Sequence, residues 1–189
     1  MTEARTRLTD TPPEGDPDRE TVVVVGKESV GKSELVSSLT GDRPTSGNFR
    51  GTTTRSERYT TDQFEFVDTP GIVLDTDTEG TRDALAQVDD DETALLVVPA
   101  TDVDDDLLPL VESHLGAVVV TYWDKVEERT GTRRALEELS ADIGVPVVPV
   151  DARTVERPVV DGGTPTAGSG TSTDDYGRIM DALAQPGLF

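Results

Sequence analysis

The sequence predicts an α/β protein with a mostly parallel central sheet, one antiparallel edge strand and helices on both faces. Three observations predict it. Short β-branched apolar runs alternate with stretches of helical period from Thr93 to Ala184. A glycine-bearing stretch, Gly26 to Ser33, separates the first apolar run from the first helical one. A single hairpin pattern, Arg55–Thr60 followed by Gln63–Val67, supplies the antiparallel pair.

The elements follow in order. Residues 1 to 19 are rich in Thr, Pro, Asp and Glu without apolar period, and read as a disordered acidic tail preceding one domain over residues 20–189. Thr21-Val22-Val23-Val24-Val25 suits a buried strand. Leu35, Val36 and Leu39 fall at helical spacing between Lys32 and Thr40, and Gly41 is a helix stop. Asp42 to Thr54 is polar and glycine-containing, as a mobile functional loop would be. The hairpin turns at Thr61-Asp62, and Asp68-Thr69-Pro70-Gly71 closes its second strand. Asp75 to Gly80 is a loop, with a short helix expected over Thr81–Val88.

The second half alternates. Strands are expected at Thr93–Val98, Ala117–Tyr122 and Val145–Val150. Helices are expected at Asp104–Leu115, at Thr132–Ile143 with Gly144 as its stop, and at Asp174–Ala184 despite Gly177. Glu156 to Thr171 is rich in Gly, Pro, Ser and Thr and reads as a loop.

Gly26-Lys27-Glu28-Ser29-Val30-Gly31-Lys32-Ser33 fits the phosphate-binding pattern G-x-x-x-x-G-K-S/T without mismatch, in the strand–loop–helix context it requires. Its glycines let successive N–H groups point into one concavity, where the helix N-terminus adds its positive dipole end. Lys32 is placed to reach the β- and γ-phosphates, and the Ser33 hydroxyl to bind Mg²⁺. The bland alternative is a glycine-rich turn that matches by chance.

Four weaker patterns acquire meaning beside that loop. Asp68-x-x-Gly71 ends a strand, so its acid suits Mg²⁺ held through water and its glycine N–H a γ-phosphate; the same residues also make an ordinary turn. Thr121-Tyr122-Trp123-Asp124 ends another strand. The Asp124 carboxylate can accept both the N1–H and the exocyclic N–H₂ of guanine, a donor pair that adenine lacks; the plain alternative is a capping Asp. Asp151-Ala152-Arg153 follows the next strand, and the Ala152 N–H is a candidate donor to guanine O6. Gly51-Thr52-Thr53-Thr54 offers a hydroxyl to complete a Mg²⁺ shell, or is a solvated Thr run. Lys125 follows Asp124 and joins the candidate nucleotide contacts. Tyr122 and Trp123 either flank the base or pack. His114, the single histidine, is expected at the surface or at a helix end, away from the motifs.

Composition restricts the partners. With no cysteine there are neither disulfides nor thiolate metal sites. The N-terminus is polar, unlike a secretory signal, and no apolar run approaches the length of a membrane span, so a cytoplasmic location is expected. Asp plus Glu number 38 against 17 Lys plus Arg, for a formal charge of −21. Such self-repulsion is tolerable mainly where salt screens it, and it argues against nonspecific nucleic-acid binding. Only three lysines occur, Lys27, Lys32 and Lys125, and this composition resembles that of salt-adapted proteins.

With these motifs in this order, the chain resembles the translation-factor-related P-loop GTPases. Within that class it is most similar to the N-terminal G domain of the ferrous-iron transport protein B family, from about Thr21 to Thr154. Gly47-Asn48-Phe49-Arg50-Gly51-Thr52-Thr53 is similar to that family's G-N-W-P-G-V-T, and Thr53 lies 20 positions after Ser33, as it does there. Val147 to Thr154 resembles the family's P-V-V-P-V-S-A-R-T.

The resemblance implies that Lys32 binds phosphate, that Ser33, Thr53 and Asp68 hold Mg²⁺, and that Gly71 senses the γ-phosphate. Thr121, Asp124 and Ala152 would form the guanine site. GTP and GDP are the implied ligands, and a membrane ferrous-iron transporter domain or subunit the implied partner, at the inner face of the cell membrane; a homo-oligomer is a further candidate.

The departures are specific. Thr121 stands where the family usually has Asn, which predicts a weaker brace to the phosphate loop. Asp151 replaces a Ser. Ser29 stands where many members hold an activating K⁺ with Asn. Ile72 follows Gly71 where Ras-like enzymes carry a water-positioning Gln, which predicts slow hydrolysis by the chain alone. The family also continues into a helical spacer and a membrane domain, so the chain is expected to be a stand-alone G protein or the soluble part of a transporter. Two other functions fit the motif order: a GTP/GDP sensor with little turnover, and a ribosome-assembly GTPase of the Era type, whose loop is like Thr53-Thr54-Arg55.

Overall fold

The computed structural model describes residues 19–41, 56–73, 88, 92–103, 107–151 and 172–184. The acidic tail (Arg19 apart), the 42–54 loop with Thr53, the 75–80 loop, the 81–88 helix (Val88 apart), the 156–171 loop, Ala152 and Arg153 lie outside those residues.

Six strands form one sheet. They are β1 (Glu20–Val25), β2 (Glu57–Thr60), β3 (Phe64–Asp68), β4 (Thr93–Pro99), β5 (Leu115–Thr121) and β6 (Val147–Pro149), in the spatial order β2-β3-β1-β4-β5-β6. Every neighbouring pair is parallel except β2 with β3. The antiparallel edge and its short turn are therefore as predicted. Thr61 makes that turn, its N–H donating to the Phe64 carbonyl at 2.8 Å while its hydroxyl accepts from the Phe64 N–H at 3.0 Å. β1 lies between β3 and β4, so the chain leaves β1 and β3 on one side of a topological switch point. Ligands of open α/β sheets bind in the crevice beyond the strand ends there.

The helices are α1 (Lys32–Thr40), the single turn α2 (Leu108–Val111), α3 (Arg129–Ile143) and α4 (Ser172–Ala184). Strand alternation divides the apolar residues between two layers. Val22, Val24, Phe64, Phe66, Leu95, Val97 and Val119 pack against Leu35, Val36 and Leu39 of α1 and Ile179, Met180 and Leu183 of α4. Val23, Val25, Leu96, Val98, Val118 and Val120 pack against Leu107, Val111, Trp123 and Leu136 on the opposite face. Covering on both faces is what a parallel sheet of near-continuous valines requires.

Several boundaries differ from expectation. The helix expected over Asp104–Leu115 is confined, among described residues, to α2 and a 3-10 turn, Glu112–His114. Leu115 instead pairs with Ala94, and the register slips past Gly116, so that Ala117 pairs with Leu95. Sheet pairing and burial of Leu115 outweigh local helical spacing there. α3 starts three residues before Thr132 because the Glu128 carboxylate caps it, accepting from the Gly131 N–H at 2.7 Å. α4 runs through Gly177, its buried Ile179, Ala182 and Leu183 outweighing the glycine's low propensity. β6 is shorter than expected as a strand, yet its pairing continues through Val118 N–H to the Pro146 carbonyl (2.9 Å) and Val150 N–H to the Val120 carbonyl (2.8 Å). Pro149 cannot donate and is tolerated at this edge.

Gly144 ends α3 as predicted, in the left-handed region (φ 72), its N–H donating to the Ser140 carbonyl. Replacing Gly144 by alanine is expected to lower stability by about 1 kcal/mol, or ~2–4 °C in Tm for a chain of this size, as read by thermal denaturation.

Candidate functional site

The parallel sheet brings the ends of β1, β3 and β5 to one rim, and with them the predicted motifs that fall on described residues. At the end of β1 the backbone enters the phosphate loop at Gly26. A Cβ there would stand 2.4 Å from the Val97 carbonyl oxygen, so only glycine lets β1 and β4 approach this closely. The loop ends at Gly31 (φ 92, ψ 19), the N-cap of α1, where Leu35 N–H begins the helical ladder on the Gly31 carbonyl at 2.9 Å.

Lys32, first in α1, folds back over the loop that precedes it. Its Nζ donates to the Gly26 carbonyl at 3.1 Å and the Lys27 carbonyl at 3.0 Å, and the side chain is buried. Burial lowers its pKa from the ordinary lysine value, and the negative charges of Asp68 and Glu28 oppose that shift. An anion brought to this ammonium would act in the same direction as Asp68. Ser33 is the second residue of α1.

Asp68 reaches the loop through sheet register. β3 runs parallel to β1 with Asp68 beside Val24, and its carboxylate is fully buried. The segment after it is stitched to the same loop: Thr69 Oγ1 donates to the Val24 carbonyl at 2.8 Å, and Ile72 N–H to the Gly26 carbonyl at 3.1 Å. Gly71 backs onto Glu28, where a Cβ would lie 2.7 Å from the Glu28 Cα. Ile72 is buried at 1 % exposure in the core. An apolar side chain packed there offers no hydrogen bond to a water, so the position of the Ras-like glutamine is filled by a core residue here.

Ser33 follows Lys32 in α1, and the charge of buried Asp68 is felt at the Lys32 ammonium; a hydroxyl and a carboxylate are both hard oxygen donors. That donor set fits Mg²⁺ with phosphate oxygens and water in its remaining positions.

The far end of the rim comes from β5 and β6. Thr121 is fully buried, and its Oγ1 donates to the Val30 carbonyl at 2.7 Å, with the Val98 carbonyl 3.2 Å away. The brace to the phosphate loop, predicted to weaken with threonine here, is thus made by a short hydrogen bond. Tyr122 follows in the left-handed region (φ 57), and its hydroxyl donates to the Ser29 carbonyl at 2.7 Å. Trp123 packs in the core at 8 % exposure with the Arg133 guanidinium 5.6 Å from its ring, so of its two readings packing is the one observed. Its N–H donates to the Val150 carbonyl at 3.3 Å, which ties the turn Trp123–Lys125 to the end of β6. Asp124 is exposed on that turn, and half-buried Asp151 follows Val150. The Lys125 ammonium lies 4.0 Å from the centroid of the Tyr122 ring. His114 ends its 3-10 turn, half-buried, as expected of a helix-end residue.

The structure therefore joins Gly26, Lys27, Glu28, Ser29, Val30, Gly31, Lys32 and Ser33 to Asp68 and Gly71 on one side and to Thr121 on the other. Asp124, Lys125 and Asp151 lie further along the same rim. Two features were missed in the sequence. Lys27 turns its ammonium to Asp102 at 2.9 Å, and Tyr122 is a phosphate-loop partner. The adjacency of Tyr122 to Thr121 was the available signal for the second; Asp102, 75 residues from Lys27, left none.

Comparison with known proteins agrees with this fold. The family model described as 50S ribosome-binding GTPase matches residues 21–125. The Fe(2+) transporter FeoB of Helicobacter pylori is 28% identical over 148 residues, 72% of this chain and 23% of the transporter. NFeoB of S. thermophilus, solved as a mutant bound to GMPPNP and also bound to GDP.AlF4- and K+, is 26% identical with a TM-score of 0.56, over 70% of this chain and 55% of that one. Era in complex with MgGDPNP and a segment of 16S ribosomal RNA aligns at a TM-score of 0.57 and 21% identity, over 72% of this chain and 52% of that one, a likeness of fold. The chain thus spans about a quarter of the curated transporter it matches.

Proposed function

Because this chain belongs to the 50S ribosome-binding GTPase family, we propose that residues 20–189 are one G domain that binds GTP and GDP at the rim above β1, β3 and β5, and that its nucleotide state regulates ferrous-iron transport. The chain is a GTPase related to the N-terminal G domain of the FeoB transporters; the site residues and the transport role are inferred. The single observation that carries the nucleotide site is the buried Lys32 ammonium, held on two phosphate-loop carbonyls with Asp68 beside it.

In this proposal the backbone N–H groups from Lys27 to Ser33 cradle the phosphates, and Lys32 neutralises charge on the β–γ bridge region. Ser33 and Thr53 would hold Mg²⁺, with Asp68 holding it through water, and the ion would supply further charge neutralisation on the phosphate oxygens. Gly71 N–H meets the γ-phosphate. Water attacks the γ-phosphorus as the bond to the β–γ bridging oxygen breaks; GDP leaves with that electron pair, and the water's two protons go with the inorganic phosphate, released as H₂PO₄⁻. With Ile72 buried, this chain orients the water through backbone groups, the Thr53 loop or a partner, and its unaided rate is slow.

Asp124 reads the guanine N1–H and N–H₂, Ala152 N–H meets O6, and Lys125, Asp151 and Arg153 border the base. A K⁺ beside the phosphates is a candidate activator, supported by the K+ in NFeoB of S. thermophilus. Among the described residues no helix is long and apolar enough to cross a membrane. The partner inferred from the FeoB likeness is a membrane iron-transporter domain or subunit, which would place the G domain at the cytoplasmic membrane face; a second copy of the chain is a further candidate. The −21 charge weighs against RNA as a ligand.

Titration with fluorescent GDP and ATP analogues, in Mg²⁺ and high KCl, tests the nucleotide site. Tight GDP binding without ATP binding is expected. Equal or preferential ATP binding would remove the guanine role of Asp124.

A further inference from the structure

Thr121 and Tyr122, consecutive at the end of β5, hold consecutive carbonyls of the phosphate loop. Thr121 Oγ1 donates to the Val30 carbonyl and Tyr122 Oη to the Ser29 carbonyl, both at 2.7 Å. Described peptides are all trans. In a planar trans peptide the C=O and the following N–H point in opposite directions. Drawing the Ser29 carbonyl toward Tyr122 therefore turns the Val30 N–H away from β5. Drawing the Val30 carbonyl toward Thr121 does the same to the Gly31 N–H. A loop that binds anions must keep its N–H groups inward and its carbonyls outward, since an inward carbonyl oxygen would repel a phosphate oxygen.

Backbone strain points to the same pair. Ser29 (φ 61) and Tyr122 (φ 57) are the non-glycine residues with positive φ among the described ones. Such conformations persist where the surroundings over-determine them, and they cluster at ligand clamps. Here the two strained residues, 93 positions apart, are hydrogen-bonded to each other. The Lys125 ammonium, at 4.0 Å from the ring centroid, covers one face of the Tyr122 ring. Tyr122 thus spans from the turn that carries Asp124 to the backbone that would meet the β-phosphate.

We propose that Tyr122 is a positioning residue for the nucleotide diphosphate: its hydroxyl fixes the Ser29–Val30 peptide with the Val30 N–H facing the anion. The inference rests on the nucleotide-binding reading above. It assigns Tyr122 an action on the phosphate side of the ligand, through the loop, rather than on the base.

The test compares GDP with GMP, which lacks the β-phosphate, on the full chain and on Tyr122→Phe and Tyr122→Lys. Removing only the hydroxyl is expected to weaken GDP about tenfold, the loss of one hydrogen bond's net worth, and to leave GMP within about twofold. Lysine, whose ammonium can donate to the same carbonyl, is expected to restore most of the GDP affinity. General loosening of the fold would weaken both nucleotides together, so the GDP-to-GMP ratio separates positioning from stability. GDP binding by Tyr122→Phe within about twofold of the unsubstituted chain overturns the proposal, as does an equal loss for GDP and GMP. If the unsubstituted chain itself fails to bind GDP, the nucleotide reading falls rather than this one.

Discussion

Replacing Lys32 by alanine is expected to weaken GDP and GTP binding by at least about two orders of magnitude. The ammonium is buried and desolvation disfavours its charge, so an anion brought to it is attracted in a poorly solvated setting. An ammonium has three N–H donors, two of them held by the Gly26 and Lys27 carbonyls. Contact with two phosphate oxygens uses the free donor and one released from a carbonyl, so at about 1.5–3 kcal/mol per charge-assisted bond, less the bond given up, it contributes about 2–5 kcal/mol, or about two to three decades of affinity. Alanine also takes the cation away from buried Asp68, so Tm falls as well, and binding must be read well below it. Isothermal titration with GDP, alongside circular dichroism to establish folding, checks the result. A folded variant with unchanged affinity would remove the phosphate-loop assignment.

Replacing Asp124 by asparagine is expected to shift preference from GTP toward xanthosine triphosphate by about three orders of magnitude. The carboxylate presents two acceptors to guanine's two donors. Asparagine replaces one acceptor with an N–H₂, which meets the exocyclic N–H₂ of guanine donor to donor but can donate to the xanthine oxygen at the same place. Leaving a polar group of the base unpaired is what makes such discrimination large. The turn bearing Asp124 has its place fixed by buried Trp123, by Trp123 N–H on the Val150 carbonyl and by Lys125 N–H on the Tyr122 carbonyl at 3.0 Å. Asparagine is close in size to aspartate, so the substitution should leave that turn intact. Competition between the two triphosphates against fluorescent GDP measures the shift, and an unchanged preference would refute the guanine assignment.

The core elements were legible because their signals are local. Val22 to Val25, Leu35, Val36 and Leu39, and Gly41 and Gly144 each specify an element within a few residues. The boundaries at Leu115 and Arg129 were not legible. The first depends on pairing with Ala94, and the second on a carboxylate cap at Glu128, four residues before the expected start at Thr132.

The candidate site divides in the same way. The residues from Gly26 to Ser33 match a phosphate-loop pattern by type and spacing alone, and Asp68 and Asp124 stand out as acids at or just beyond strand ends. What they touch was not in the sequence. Threonine at 121 looked too short for its brace, yet full burial and the register of β5 carry its hydroxyl to the Val30 carbonyl. Tyr122 looked like a candidate flank for the base, and its hydroxyl is bonded to the loop. Ile72 looked like a missing glutamine, and it is a core residue.

By itself, then, the sequence determined which elements form and which residue types line the rim, because those follow from periodicity, propensity and motif spacing over short stretches. Only the tertiary structure decided which side chains grip the phosphate loop and which are buried away from it. Those contacts join residues as far as 93 positions apart, and their geometry follows from strand order and register, which no local pattern encodes.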